Sequence, residues 1–172
     1  MTGSPDRSGR AALRLVPATA ETACPSQWFC GHCGAPPPTN ETPAPPARVC
    51  GECGLGLLLE ARADAVPSPN EAFLIVDGSL SVCALSATSE KLLAVSETDV
   101  VNRPVMELLS PADAEANAPE SLAAAIMWAA RGEDEPRKVT VRPANVFGVR
   151  MPLRVGACGP PRAALLVFDD AR

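Results

Sequence analysis

Four cysteines carry the chemistry that this sequence states most clearly. They fall in two short turns, Cys30-Gly-His-Cys33-Gly34 and Cys50-Gly-Glu-Cys53-Gly54, with 16 residues between the pairs. Two cysteines separated by two residues can grip one ion from a single tight turn. Two such pairs supply the four thiolates of a closed, tetrahedral zinc site. The glycine after each second cysteine permits the backbone conformation that aims N–H groups at the sulfurs. The repeated Cys-Gly-x-Cys-Gly sets these residues apart from chance cysteines. The expected ligands are Cys30, Cys33, Cys50 and Cys53, holding one zinc per chain. Catalytic zinc keeps an open position beside a general base, and four thiolates leave none, so the site reads as structural.

The residues around the motif have blander readings. His32 is the only histidine and is expected to sit exposed on its turn, outcompeted as a ligand by four well-spaced thiolates. Cys24 lies outside the spacing and reads as a free thiol. Trp28 and Phe29 are expected to pack against this small unit or a neighbouring domain. Between the pairs, Ala35-Pro-Pro-Pro-Thr-Asn-Glu-Thr-Pro-Ala-Pro-Pro-Ala47 must be an exposed loop, because each proline fixes φ and removes a donor. Leu55 to Glu60 reads as a strand leaving the second turn. The paired Cys-x2-Cys-Gly turns resemble a zinc ribbon over residues 28–60, either a full ribbon or a reduced pair of knuckles. Some zinc ribbons bind nucleic acid. Here Arg48 and Arg62 face Glu41, Glu52 and Glu60, and a four-thiolate zinc centre adds about two negative charges. Phosphate contact requires the opposite sign, so nucleic-acid binding is disfavoured.

The elements that position the cysteines form three segments. Residues 1–23 are expected to be a disordered tail, 24–62 the ribbon, 63–69 a linker, and 70–172 a second unit. In that unit Phe73-Leu-Ile-Val-Asp77 and Leu80 to Leu85 read as a hairpin around the Asp77-Gly78 turn. Ser86 to Ala94 reads as a short helix. Ser96-Glu-Thr-Asp99 and Ser110-Pro-Ala-Asp113 carry helix-start signals. Glu120 to Arg131, with Leu122, Ile126 and Ala129 on one stripe and Gly132 behind it, is the best helix. Strands are expected at Lys138–Val146, Val149–Ala157 and Ala163–Asp169. The fold class is α+β: one five-stranded antiparallel sheet with helices on one face, plus a small N-terminal four-cysteine ribbon.

From Ala72-Phe-Leu-Ile-Val-Asp-Gly-Ser-Leu-Ser-Val82 through the helical stretch Ser86 to Leu109, the sequence resembles a PAS domain. The resemblance covers residues 70–172. Ser86 or Ala87 stands where that family often has Asn, and Ala94 and Asn102 replace two glycines. It implies a sensing or interaction module. The family's flavin-photosensing members need a reactive cysteine in an Asn-Cys-Arg-Phe type motif and its haem members an axial histidine; the chain has neither after residue 32, so no flavin or haem is expected. Cys83 and Cys158 read as small core residues or free thiols.

Composition bounds the function. The chain has 172 residues, 47% hydrophobic but 3% aromatic, so its core is aliphatic, and its net charge is −5. An acidic chain is not steered to nucleic acid or to an anionic membrane surface. No apolar run of about 18 residues and no secretory h-region occur, so the expected compartment is the cytoplasm, where seven cysteines are ligands or free thiols. Arg, Ala and Pro usage, with Lys91 and Lys138 the only lysines, suggests a GC-rich bacterial source. Phe73–Val76 and Ala164–Phe168 are apolar at consecutive positions, so both faces of the sheet are apolar there. That implies a protein partner or homodimer on the outer face, unless the N-terminal segment or the zinc turns cover it within one chain. No nucleophile–base set is found, and the acidic residues fall on caps and loops, so no enzyme is expected. The expected function is non-enzymatic signalling or regulation through a partner in trans. The alternative is a transcription-associated ribbon contacting DNA or RNA polymerase.

Overall fold

The structure is a computed structural model that describes residues 24–39, 41–112, 121–133, 135–146 and 148–169. The expected tail, residues 1–23, lies outside the described residues, as do Asp113 and Glu120. The elements run β1 (Ser26–Cys30), β2 (Leu58–Arg62), β3 (Phe73–Val76), β4 (Val82–Leu85), α1 (Ala87–Leu93), α2 (Glu97–Val100), β5 (Leu109–Pro111), α3 (Leu122–Arg131), β6 (Arg137–Pro143), β7 (Met151–Gly159) and β8 (Ala163–Phe168). No described helix is long and apolar enough to cross a membrane.

All strands pair antiparallel into one curled sheet. Five of them take the order β4-β3-β8-β7-β6, with β8 central and β3 between β8 and the edge strand β4. This is the PAS-like part. The expected count of five is corrected to eight. Two of the extra strands come from the ribbon. Strand β7 has nine residues, long enough for two neighbours along one edge. β6 takes Met151 to Val155, and β2 takes Cys158 and Gly159. The hand-over falls at Gly156, where a Cβ would stand 2.8 Å from that of Ala65, so a side chain there would push the incoming chain away. The segment 63–69 is accordingly packed, with Ala65 and Pro67 buried.

The third extra strand is β5. Ser110-Pro111 was expected to start a helix, and instead Leu109 to Pro111 pairs with Pro143 to Val141. Leu109 is fully buried, and the short edge position tolerates a proline that lacks a donor. At Ser96 a helix starts as expected, but the Ser96 side chain does not cap it. Its hydroxyl bonds Thr98 Oγ1 at 2.9 Å, and the N–H of Glu97 is taken by Glu90 at 2.7 Å, so α2 is a single turn capped from α1. Helix α3 follows its stripe: Leu122, Ala125, Ile126 and Ala129 are buried, Ser121 caps one end and Gly132 the other. Ala94 and Asn102, the two replacements of family glycines, both sit at positive φ, 50° and 65°. Asn bears that conformation well; Ala bears it at a cost.

Two apolar layers result, one on each sheet face. On the helix side Leu74, Val76, Leu85, Ile126, Leu153 and Leu166 are fully buried. On the other side Phe73, Ile75, Leu165 and Val167 lie under Phe29, Leu59 and Ala61 of the β1–β2 hairpin. Phe29 and Phe73 meet edge-on at 6.1 Å. The consecutive apolar runs of β3 and β8 are therefore used on both faces within one chain. That is the second of the two readings open from sequence: the ribbon covers the face on which a partner was expected.

Helix α1 is tied to β3 through a buried serine pair. Ser86 Oγ accepts from Phe73 N at 3.0 Å and from Ser89 N at 3.2 Å, and Ser89 Oγ donates to Phe73 O at 2.9 Å. Replacing Ser86 by Ala removes a cap and strands a buried N–H. The expected cost is about 2–3 kcal/mol in urea unfolding. Ser89→Ala leaves Phe73 O with its bond from Ser86 N and is expected to cost about 1 kcal/mol. Equal costs would show that the Phe73 N–H finds another acceptor.

Candidate metal centre

The β1–β2 hairpin brings the four cysteines together. Cys30 ends β1, and the second pair lies just before β2. The two turns repeat one geometry: Gly34 N donates to Cys30 O and Gly54 N to Cys50 O, both at 2.9 Å. Gly34 and Gly54 have φ of 74° and 67°, which glycine adopts without strain. Backbone N–H groups then point at the sulfurs. His32 N and Cys33 N each approach Cys30 Sγ at 3.4 Å, and Gly56 N approaches Cys53 Sγ at 3.4 Å.

The sulfurs form a compact cluster. Cys30 and Cys53 are 3.7 Å apart, Cys33 and Cys50 are 3.8 Å apart, and all four lie within 4.8 Å of one another. A tetrahedral ion with sulfur ligands at about 2.3 Å requires sulfur–sulfur edges of about 3.8 Å. The donor set and its spacing fit zinc. When bound, the ion would neutralise thiolates and lock the turns, with no open position for substrate. Cys30 and Cys50 are buried with Trp28 and Leu58, Cys53 is half-buried and Cys33 exposed. Arg48 stacks over Trp28, 5.8 Å from its ring centre.

Sequence reasoning did not single out Gly56. A Cβ there would stand 2.3 Å from Cys30 Sγ and 2.7 Å from His32 Cβ, so only glycine lets β2 approach the first turn. The signal was present as a glycine three residues after Cys53, outside the repeated Cys-Gly pattern. His32 is corrected from exposed to half-buried. Its Nδ1 is 3.4 Å from Glu97 Oε2, so it leaves the sulfurs and reaches across to α2. Glu97 also accepts from Leu85 N at 2.9 Å, which links the metal turn to the edge strand β4. Of the other thiols, Cys158 is buried and Cys83 is exposed. Burial pushes the Cys158 thiol up to about 12.

In the metal-free cluster the thiols ionise unevenly. Burial pushes Cys30 up to about 12, against the pull of N–H groups from Cys33 and His32. Burial also raises Cys33. At Cys53 the opposing effect of burial is overcome by backbone N–H groups of Gly56 and Leu55 and by its cysteine neighbours, which bring it down to about 6. Metal binding must therefore expel at least the protons of Cys30 and Cys33 at neutral pH, and that of Cys53 as well below about 6. More protons to expel means weaker binding, so affinity falls as pH falls. A chelator competition from pH 8 to 5 is expected to give a slope of at least two protons per zinc, steepening below about pH 6. A pH-independent affinity would contradict a thiolate site. Gly56→Ala is expected to weaken zinc binding by about 10–100-fold, while Gly51→Ala, whose Cβ meets nothing, leaves it unchanged. Equal losses would assign the effect to backbone freedom and not to the close approach.

No protein-family model and no curated protein matches the sequence. Solved structures do. The chain is similar to the PAS domain of nitrogen regulation protein NR(II) from Vibrio parahaemolyticus, at 18% identity and a TM-score of 0.40, over 58% of this chain and 86% of that one. It is similar to the PAS domain of an HTR-like protein from Haloarcula marismortui, at 16% identity and a TM-score of 0.42, over 58% and 80%. It is also similar to a domain of a sensory box sensor histidine kinase/response regulator from Geobacter sulfurreducens, at 15% identity and a TM-score of 0.43, over 59% and 83%. The chain's own strand order and its clustered sulfurs describe a PAS-like antiparallel sheet joined to a zinc-ribbon-like four-cysteine motif.

Proposed function

We propose that this protein is a non-enzymatic signalling or regulatory protein of the cytoplasm, acting through protein contacts, with one structural zinc bound by Cys30, Cys33, Cys50 and Cys53. The observation that carries this reading is the use made of the ribbon. Its hairpin is spent on covering the outer face of the PAS-like sheet, with Phe29, Leu59 and Ala61 over Phe73, Ile75, Leu165 and Val167. A closed thiolate site that fixes a hairpin against a sheet serves architecture.

The carboxylates support the same reading, because those nearest the sheet are engaged in local structure. Asp77 accepts from Ser79 N and Ser81 N. Glu71 accepts from Ser68 N and pairs with Arg154 at 3.6 Å. Asp169 pairs with Arg154, and Glu90 caps α2. Asp77 lies beside the exposed Cys83 thiol, but burial and the Asp77 charge both raise that thiol, which works against an activated nucleophile. The helix-side layer packs aliphatic side chains and Phe168, with no polar group poised to hold an enclosed ligand among those of the cluster.

The test is isolation of the tagged full chain from its host with zinc retained, followed by native mass spectrometry. The expected result is one zinc per chain and a defined partner at near-stoichiometric amount. A chain recovered alone, which turns over a substrate in a general activity screen, would overturn the reading.

A further inference from the structure

The ribbon tip exposes apolar side chains where rigid structure offers no way to hide them. Val49 is 53% exposed, Leu55 75% and Leu57 51%. Val49 and Leu57 face each other across an antiparallel bridge, and Leu55 lies between Cys53 and Gly56 in the turn that grips Cys30. Such a cluster on a fixed turn marks a contact surface more than a scattered surface leucine does. Beside it lies a groove of about 590 Å³ between the ribbon and the sheet. Leu55 and Leu57 form its wall, and Leu59 and Ile75 form its floor. Leu59 and Ile75 also belong to the layer that joins hairpin to sheet, so the groove continues an apolar contact already made within the chain.

The rim of the groove is acidic. Asp77 and Glu97 line it. Asp77 uses one oxygen for two backbone N–H groups and has no ion pair among the described residues. Glu97 meets His32 through Oε2 and accepts from Leu85 N through Oε1. Arg162, the one arginine lining the groove, donates to the carbonyl of Arg131 at 3.2 Å. A zinc-loaded thiolate centre next to the wall would add about two negative charges. Apolar walls with an acidic rim reject phosphate backbones and anionic lipid, and they complement a segment that pairs bulky apolar side chains with a basic one.

We infer that the groove between the zinc turns and strands β3 and β4 docks a partner segment with alternating bulky apolar and basic side chains. Leu55 and Leu57 grip its apolar side chains, and Asp77 and Glu97 meet its cation. This rests on the reading of the chain as an interaction protein and locates the contact.

The test uses the zinc-loaded full chain and two labelled nonapeptides read by fluorescence anisotropy. One alternates leucine with arginine; the other has glutamate for each arginine. The arginine peptide is expected to bind at least about tenfold more tightly. Leu57→Asp is expected to weaken it about tenfold or more with zinc content and Tm unchanged, since Leu57 is half out in solvent. Asp77→Asn, which keeps an acceptor for the turn, is expected to weaken it about threefold. Equal binding of the two peptides, or binding untouched by Leu57→Asp, overturns the assignment. A second copy as the occupant would appear as a concentration-dependent dimer that Leu57→Asp dissolves, and that result also overturns it. The wider reading fails differently. A partner whose cross-links avoid Leu55 and Leu57 removes this site alone, whereas substrate turnover by the chain removes the interaction reading itself.

Discussion

The edge-on contact of Phe29 with Phe73 is the join on which the rest of the molecule depends. It places a ribbon residue on the outer face of β3, and seven buried side chains from both units close around it. An isolated two-stranded hairpin is marginal in water, so β1 and β2 need two supports. One is the apolar sheet beneath them. The other is the cysteine cluster at their tip. Structural zinc in finger peptides contributes on the order of 10–16 kcal/mol near neutral pH, which exceeds the whole stability of many domains. The apolar face needs the cover, the cover needs the tip, and the tip needs the face to set its angle.

This dependence also explains the strand count. A five-stranded sheet with one bare apolar face would expose Phe73, Ile75, Leu165 and Val167 side by side. The chain solves this with hydrogen bonds as well as packing. β2 pairs with the last residues of β7, so the cover is continuous with the sheet and cannot slide along it. Register fixes which residues of β2 point down: Leu59 and Ala61 are buried, and Glu60 between them is exposed. Gly156 and Ala65 make room for the turn that carries the chain from cover to sheet.

Much of this was legible because it is local. The twin Cys-Gly-x-Cys-Gly turns encode their own geometry, so the four ligands could be read from spacing. The stripe of Leu122, Ile126 and Ala129 with Gly132 behind it encodes a helix and its stop. The hairpin around Asp77 is written in short apolar runs and turn chemistry. What escaped is non-local. Ser96 and Ser110 carry equal-looking helix-start signals, yet Glu90 takes over capping at the first and β6 recruits the second as a strand. His32 could not be placed without knowing that α2 lies across from the metal turn. Gly56 could not be recognised without knowing whose sulfur it faces. The apolar runs of β3 and β8 were visible, but the sequence does not say whether the second face belongs to a partner or to the same chain; only the fold decides between them.

One chain of contacts links the two units by a second route, across the sheet edge from His32 to Glu97. His32 leaves the first metal turn and meets Glu97; Glu97 holds the N–H of Leu85 at the edge strand, and its own N–H is held by Glu90 of α1. Leu85 lies in the helix-side core and is followed directly by Ser86, which clamps Phe73. Phe73 returns to Phe29, three residues before His32. The path is a closed loop of short contacts around the edge of the sheet. Contiguity of this kind is a condition for coupling and does not by itself demonstrate it. It does mean that the position of the metal turn and the start of the helical segment share two groups, Glu97 and Ser86, which the sequence shows only as residues at helix starts. A helix-start residue here has two structural duties, and the second is invisible until the ribbon is laid across the sheet.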